Sequence, residues 1–141
     1  MEDVQTDVAS IFDKLQSVNA ASPFNSWAGF ELIQAGGGNS ELAVLARREL
    51  MQHSGFLHAG VLGALVDTAC GFAAASISGA VLASQYQVLC YKPAVGERFV
   101  ARASVDRAGR RQLFASAQVF AVCNGIETLV AGGSAVPMVA A

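Results

Sequence analysis

Apolar positions recur along this chain in two rhythms, one helical and one alternating. Val4, Val8, Ile11, Phe12 and Leu15 fall on one face of a helix, so the spacing predicts an N-terminal amphipathic helix over 1–19. Ser22-Pro23 breaks that pattern. Trp27 to Ala35 then reads as a strand, Gly36-Gly37-Gly38-Asn39 as a turn, and Ser40 to Leu50 as a returning strand with Leu42, Val44 and Ala46 on one face. Next comes a long apolar run, predicted as a central helix over 59–78 that closes near Gly79. Four strands follow: Leu82 to Tyr91, stopped by Lys92-Pro93, then Arg98 to Arg107, Gln112 to Val122 and Glu127 to Met138. Asn124-Gly125 marks the last hairpin, because a type I′ turn needs positive φ at both central residues.

The order is therefore helix, two strands, long helix, four strands. Short connections between the last strands imply an antiparallel sheet, and the long helix must lie across one of its faces, an α+β arrangement. Gly60, Gly63, Ala64, Ala69, Gly71, Ala73, Ala74 and Ala75 let a curved sheet approach the helix backbone. Apolar on all sides, that helix is expected to be wrapped by protein. A membrane span is the competing reading for Phe56 to Leu82, but Asp67 near its centre would cost about 2.5 to 3.5 kcal/mol on insertion. A buried core helix, with no membrane partner, is the expectation.

With 141 residues, the chain is read as one domain over 1–141. It is 53% hydrophobic and only 14% charged, an excess that suggests surface covered by further copies of itself. A net charge of −2 and the lack of a basic run argue against a nucleic-acid partner. Cys70, Cys90 and Cys123 are odd in number and not in CxxC spacing, which reads as buried, reduced thiols rather than disulfides or a metal site. The acidic start (Glu2, Asp3, Asp7) does not resemble a secretory signal, so a cytoplasmic location is expected.

Candidate chemistry concentrates in Gln52-His53-Ser54-Gly55-Phe56-Leu57-His58-Ala59-Gly60, a polar loop that carries both histidines and opens the central helix. A helix start aims unpaired N–H groups and partial positive charge at what lies ahead of it. Asp67, stranded on the apolar helix, pays for lost hydration unless it is paired or used. Together these amount to a donor that can polarise an electrophile and a base or nucleophile.

Layout and motif resemble the hotdog-fold thioesterases, specifically the acyl-CoA thioesterases related to the phenylacetic-acid-degradation protein PaaI. The family pattern Asn-x-x-Gly-x-x-His-Gly-Gly, with Asp seven residues on, is met by Gln52, Gly55, His58, Ala59, Gly60 and Asp67; Tyr91-Lys92-Pro93-Ala94 with Gly96-Glu97 is similar to a second family turn. Gln52 replaces Asn, and Ala59 replaces the first Gly but keeps its N–H. A serine of some members falls near Ala83, with Ser84 beside it. The resemblance implies a hotdog fold of about six strands around one helix, and hydrolysis of an acyl-CoA substrate without a cofactor. It casts Asp67 as nucleophile or general base, the N–H groups of Ala59 and Gly60 as oxyanion donors, and Gln52 as holder of water or thioester. His58 is read either as catalytic or as a helix cap, and His53 as a loop residue.

Ala59 and Asp67, eight residues apart, are separated by roughly 12 Å along the helix, whereas reacting atoms must come within about 3 to 3.5 Å. A two-fold dimer with antiparallel helices would bring the donor of one copy to the acid of the other, and the resemblance implies that such dimers pair into a homotetramer. Lys92, Arg107, Arg110 and Arg111 are candidates for the coenzyme A phosphates, or else a solvated turn. Phe56, Leu57 and Phe72 are candidates for the acyl pocket, with core packing the alternative for Phe72. A hotdog-fold dehydratase, using His58, and a non-catalytic acyl-CoA binder are the competing functions.

Overall fold

A computed structural model of the chain describes residues 4–140, with side chains from Ser10 onward. Glu2 and Asp3, and the side chains of Val4, Asp7 and Val8, lie outside the described residues. The elements are α1 (Val4–Ala21), α2 (Pro23–Ala28), β1 (Glu31–Gly36), β2 (Asn39–Leu45), a 3-10 turn (Arg48–Leu50), α3 (Ala59–Ser78), β3 (Val81–Cys90), β4 (Arg98–Ala108), β5 (Leu113–Cys123) and β6 (Ile126–Val139). The strands form one sheet in the order β1-β2-β4-β5-β6-β3, antiparallel at every pairing. The curved sheet wraps α3, whose Leu65, Val66, Ala69, Cys70, Ala73 and Ala74 are fully buried against Leu42, Phe99, Ala101, Val119 and Ala131. The most apolar helix of the chain is thus a core element.

Two hydrogen bonds pin α3 to the β1–β2 hairpin. Ser40 Oγ donates to the Ala69 carbonyl at 2.6 Å, and Ser76 Oγ accepts the Gly38 N–H at 2.9 Å. At the hairpin itself Gly37 and Gly38 take φ of 61° and 87°, and Asn124 and Gly125 take 52° and 76°, as a type I′ turn requires.

Three expectations are corrected. Trp27 does not open a strand: Pro23 occupies the first turn of α2, where its missing N–H costs nothing, and Gly29 closes that helix at φ 81°. Phe24 of α2 packs edge-on against Phe30, centroids 5.6 Å apart. The second strand ends at Leu45 rather than Leu50: the Ala46 N–H still meets the Glu97 carbonyl in the register of β2 on β4, and beyond it the chain coils into the 3-10 turn. Of the three cysteines only Cys70 is buried; Cys90 and Cys123 are exposed.

The two sheet edges differ. On β1, α1 lies alongside and covers the edge: Gln16 Nε2 donates to the Leu32 carbonyl at 3.3 Å, and Asn19 Nδ2 to the Phe30 carbonyl at 2.8 Å. On β3 no described element covers the edge, and Leu82, Tyr86 and Leu89 are 70%, 50% and 56% exposed.

Candidate active site

The loop of both histidines is a compact hairpin that delivers His58 to the head of α3. Gln52 N–H donates to the Phe56 carbonyl, Leu57 N–H to Ala94, and His58 N–H to Leu50, while Gly55 turns the chain at φ 84°. His58 is the N-cap of α3, with φ −60° and ψ 136°, and its Nδ1 accepts the Gly60 N–H at 2.8 Å. A Cβ at residue 60 would stand 2.9 Å from that nitrogen, so glycine there lets the imidazole fold over the helix end. An accepting Nδ1 leaves the ring proton on Nε2, so His58 caps as the neutral ring. Val61 and Leu62 N–H both reach the His58 carbonyl. Among the described residues, the Ala59 N–H has no protein acceptor.

Ala59 lines a cavity of about 480 Å³ together with Gln52, Phe56, Leu57, His58, Tyr91 and Lys92, among others. Gln52 Oε1 accepts the Ser54 N–H, which leaves the side-chain NH2 for a ligand. Leu57 is also a core residue, whereas Phe56 is half-buried. His53 is exposed in the loop.

Asp67 lies elsewhere. It lines a second cavity, of about 620 Å³, between α1, α3 and the start of β3. Burial raises its carboxyl pKa above the ordinary range. One turn on, the Cys70 thiol is pushed up to about 12, first by burial and then by the charges of Asp67 and Asp106, so it stays protonated and inert. Phe72 lines this cavity and is buried in the core at the same time.

The remaining candidates divide in the same way. Lys92 borders the donor cavity at the far end of β3, whereas Arg110 and Arg111 are exposed at the β4–β5 turn. That turn sits by the near end of β3: Arg111 carbonyl accepts from Val139, the residue paired with Val81. Ten strand residues, roughly 30 Å, separate the two groups in one copy. Arg107 is exposed near the same turn. Ser84 occupies the bulge between Ala83 and Gln85, and its hydroxyl donates to the Val136 carbonyl at 2.9 Å; Ala83, not Ser84, lines the Asp67 cavity.

Sequence reasoning passed over Thr68, beside Asp67 in its cavity, the α1 residues Lys14 and Val18 on the opposite wall, and Tyr91 in the donor cavity; it took Gly71 and Gly60 for close approach of the sheet, whereas a Cβ at Gly71 meets nothing within 4 Å and one at Gly60 meets the His58 ring. The signals were available: Gly71 lies four residues after Asp67, and Val18 extends the spacing of Ile11 and Leu15 by one step.

The model of the thioesterase superfamily matches residues 54–124. A thioesterase family protein from Silicibacter pomeroyi is 36% identical, with a TM-score of 0.86 over 89% of this chain and 95% of that one. At lower identity the likeness is one of fold. The E. coli PaaI protein of the phenylacetic acid degradation operon matches at 17% identity and TM-score 0.85, covering 95% of this chain and 96% of its own. Zebra fish thioesterase superfamily member 2 matches at 21% and 0.78, covering 92% and 98%. No curated protein sequence matches the chain. With a wrapped central helix, a capped helix head that keeps one donor free, and a family match across both, this chain belongs to the thioesterase superfamily and has the hotdog fold.

Proposed function

We propose that the protein hydrolyses acyl-CoA thioesters at sites shared between two copies, the Asp67 of one facing the Ala59 N–H of the other. The observation that carries this reading is the separation of donor and acid into two cavities of one chain. Superfamily membership supports thioester hydrolysis. The bare β3 edge supports the assembly: two-fold pairing there runs the two α3 helices antiparallel and turns the Asp67 side of one copy toward the donor cavity of the next. The same pairing sets Lys92 of one copy near the Arg110–Arg111 turn of the other, a divided cradle for the coenzyme A phosphates. Two such dimers make the tetramer. The exposed, unpaired Cys90 and Cys123 suit a reducing cytoplasm.

In this reading the Ala59 N–H holds the thioester carbonyl oxygen as negative charge develops on it. Asp67 takes a proton from water as the water oxygen bonds to the acyl carbon and passes it to the departing thiolate, or attacks the carbonyl itself to give an acyl-Asp67 anhydride that water then cleaves to the free acid and the Asp67 carboxylate; in either route the C–S bond breaks and the coenzyme A thiolate takes up the proton that water supplied. The Gln52 NH2 orients the water or the thioester. His58, its Nδ1 committed to Gly60, is a positioning residue, and that commitment argues against the dehydratase reading, which needs it as a base.

Complementation tests the shared site. Ala59→Pro and Asp67→Asn are each expected to be inactive alone, but co-assembled they form heterodimers with one intact site. Random pairing then restores about a quarter of the wild-type thiol release. No recovery in co-purified heterodimers overturns the shared site, and a wild type that releases no thiol from any acyl-CoA overturns hydrolysis.

A further inference from the structure

Gly71 lies one turn beyond Asp67 on α3 and lines the same cavity. A glycine inside a helix is destabilising relative to alanine, so it asks for a compensating contact. At Gly63 that contact exists: a Cβ would stand 3.2 Å from the Tyr86 ring. At Gly71 a Cβ would meet nothing within 4 Å, and the backbone is ordinary helix. What the glycine preserves is the empty volume itself.

The space is about 620 Å³, within the range of small-molecule sites. Leu15 and Val18 of α1 form one wall; Phe72, Leu82 and Pro137 form much of the rest. Its charged members are Asp67 and Lys14, and Lys14 is exposed on α1. A second carboxylate inside would meet Asp67 and mainly apolar side chains, so dicarboxylic acyl groups are disfavoured. We propose that this cavity takes an apolar acyl tail and that Gly71, by lacking a side chain, sets how long a tail fits beside Asp67. The proposal rests on the thioester reading above and goes beyond it by naming the specificity-determining residue and the class of acyl group.

The test compares kcat/KM for acetyl-, hexanoyl-, decanoyl- and succinyl-CoA in the wild type, Gly71→Ala and Gly71→Leu, alongside binding of the non-hydrolysable thioether decyl-CoA. The wild type is expected to prefer decanoyl- over succinyl-CoA. Gly71→Leu should lower the decanoyl-to-acetyl ratio about tenfold or more, since a lost methylene site alone can cost that much. Gly71→Ala should move the same ratio less while raising the melting temperature, and it carries the test if the leucine variant does not fold. Equal losses on all acyl chains, or an unchanged ratio, would overturn the role of Gly71 and leave hydrolysis standing. If the wild type releases no thiol, hydrolysis fails and Gly71 is judged by decyl-CoA alone: weaker binding in Gly71→Leu supports it. Wild-type binding no tighter than that of free coenzyme A overturns it.

Discussion

The imidazole of His58 takes the Gly60 N–H at 2.8 Å and so leaves the N–H of Ala59, the residue between them, without an acceptor at the head of α3. In the proposed mechanism, capping and catalysis are thereby divided among neighbouring donors. The cap satisfies groups a helix end would otherwise leave bare, and the unsatisfied group belongs to a residue that lines the donor cavity.

Replacing Ala59 by proline deletes that N–H alone. Position 59 is the first residue of α3, where proline is tolerated, and His58 already has the extended backbone that a following proline demands. We expect kcat to fall by about 10²- to 10³-fold, the scale of losing one oxyanion donor, with thermal melting followed by circular dichroism little changed. Full activity in a folded Ala59→Pro protein would remove the donor from the mechanism.

Asp67→Asn is expected to lower kcat by about 10²- to 10⁴-fold while making the protein more stable at neutral pH. Burial raises the Asp67 pKa, so between the ordinary carboxylate value and the raised one the folded state binds more protons than the unfolded. Stability therefore falls as pH rises through that window and stays lower above it, whereas activity that needs the carboxylate rises through the raised pKa. Melting curves of the two proteins should diverge above the window and coincide below it. An activity limb at or below the ordinary carboxylate pKa would contradict this assignment.

His58→Asn separates cap from catalyst. Asparagine is a strong N-cap whose side-chain oxygen can accept the same kind of N–H, whereas His58→Ala forfeits about 1 kcal/mol of cap. We expect the asparagine variant to retain most of its kcat and melting temperature, and the alanine variant to lose stability by urea titration. A collapse of kcat in both would make the imidazole a catalytic group.

Local signals carried far in the sequence. α3 runs over Ala59–Ser78 as its apolar run and Gly79 imply, and Asn124-Gly125 forms the turn its chemistry demands. The misreadings arose where context overrode pattern. Phe24 and Trp27 look strand-like, but Pro23 at a helix start and Gly29 at its end govern the segment, and β2 gives way to the 3-10 turn at Arg48–Leu50. Lys92 and Arg110 read as a single basic set along the chain, yet the β4–β5 hairpin returns to the opposite end of β3. The motif marked Asp67 and the loop, but not the α1 wall facing Asp67, because residues so far apart in sequence meet only through the tertiary packing of α1 on α3.

The uneven edges of the sheet bear on the life of a newly made chain. α1 seals β1, while the ten residues of β3, bearing Leu82, Tyr86 and Leu89, stay open to any extended strand that drifts past. In a copy without a partner, this edge leaves a row of N–H and C=O groups free to pair with another chain. In the proposed dimer, the strand that closes this gap is the same β3 of a second copy, so assembly would also guard the chain against stray pairing.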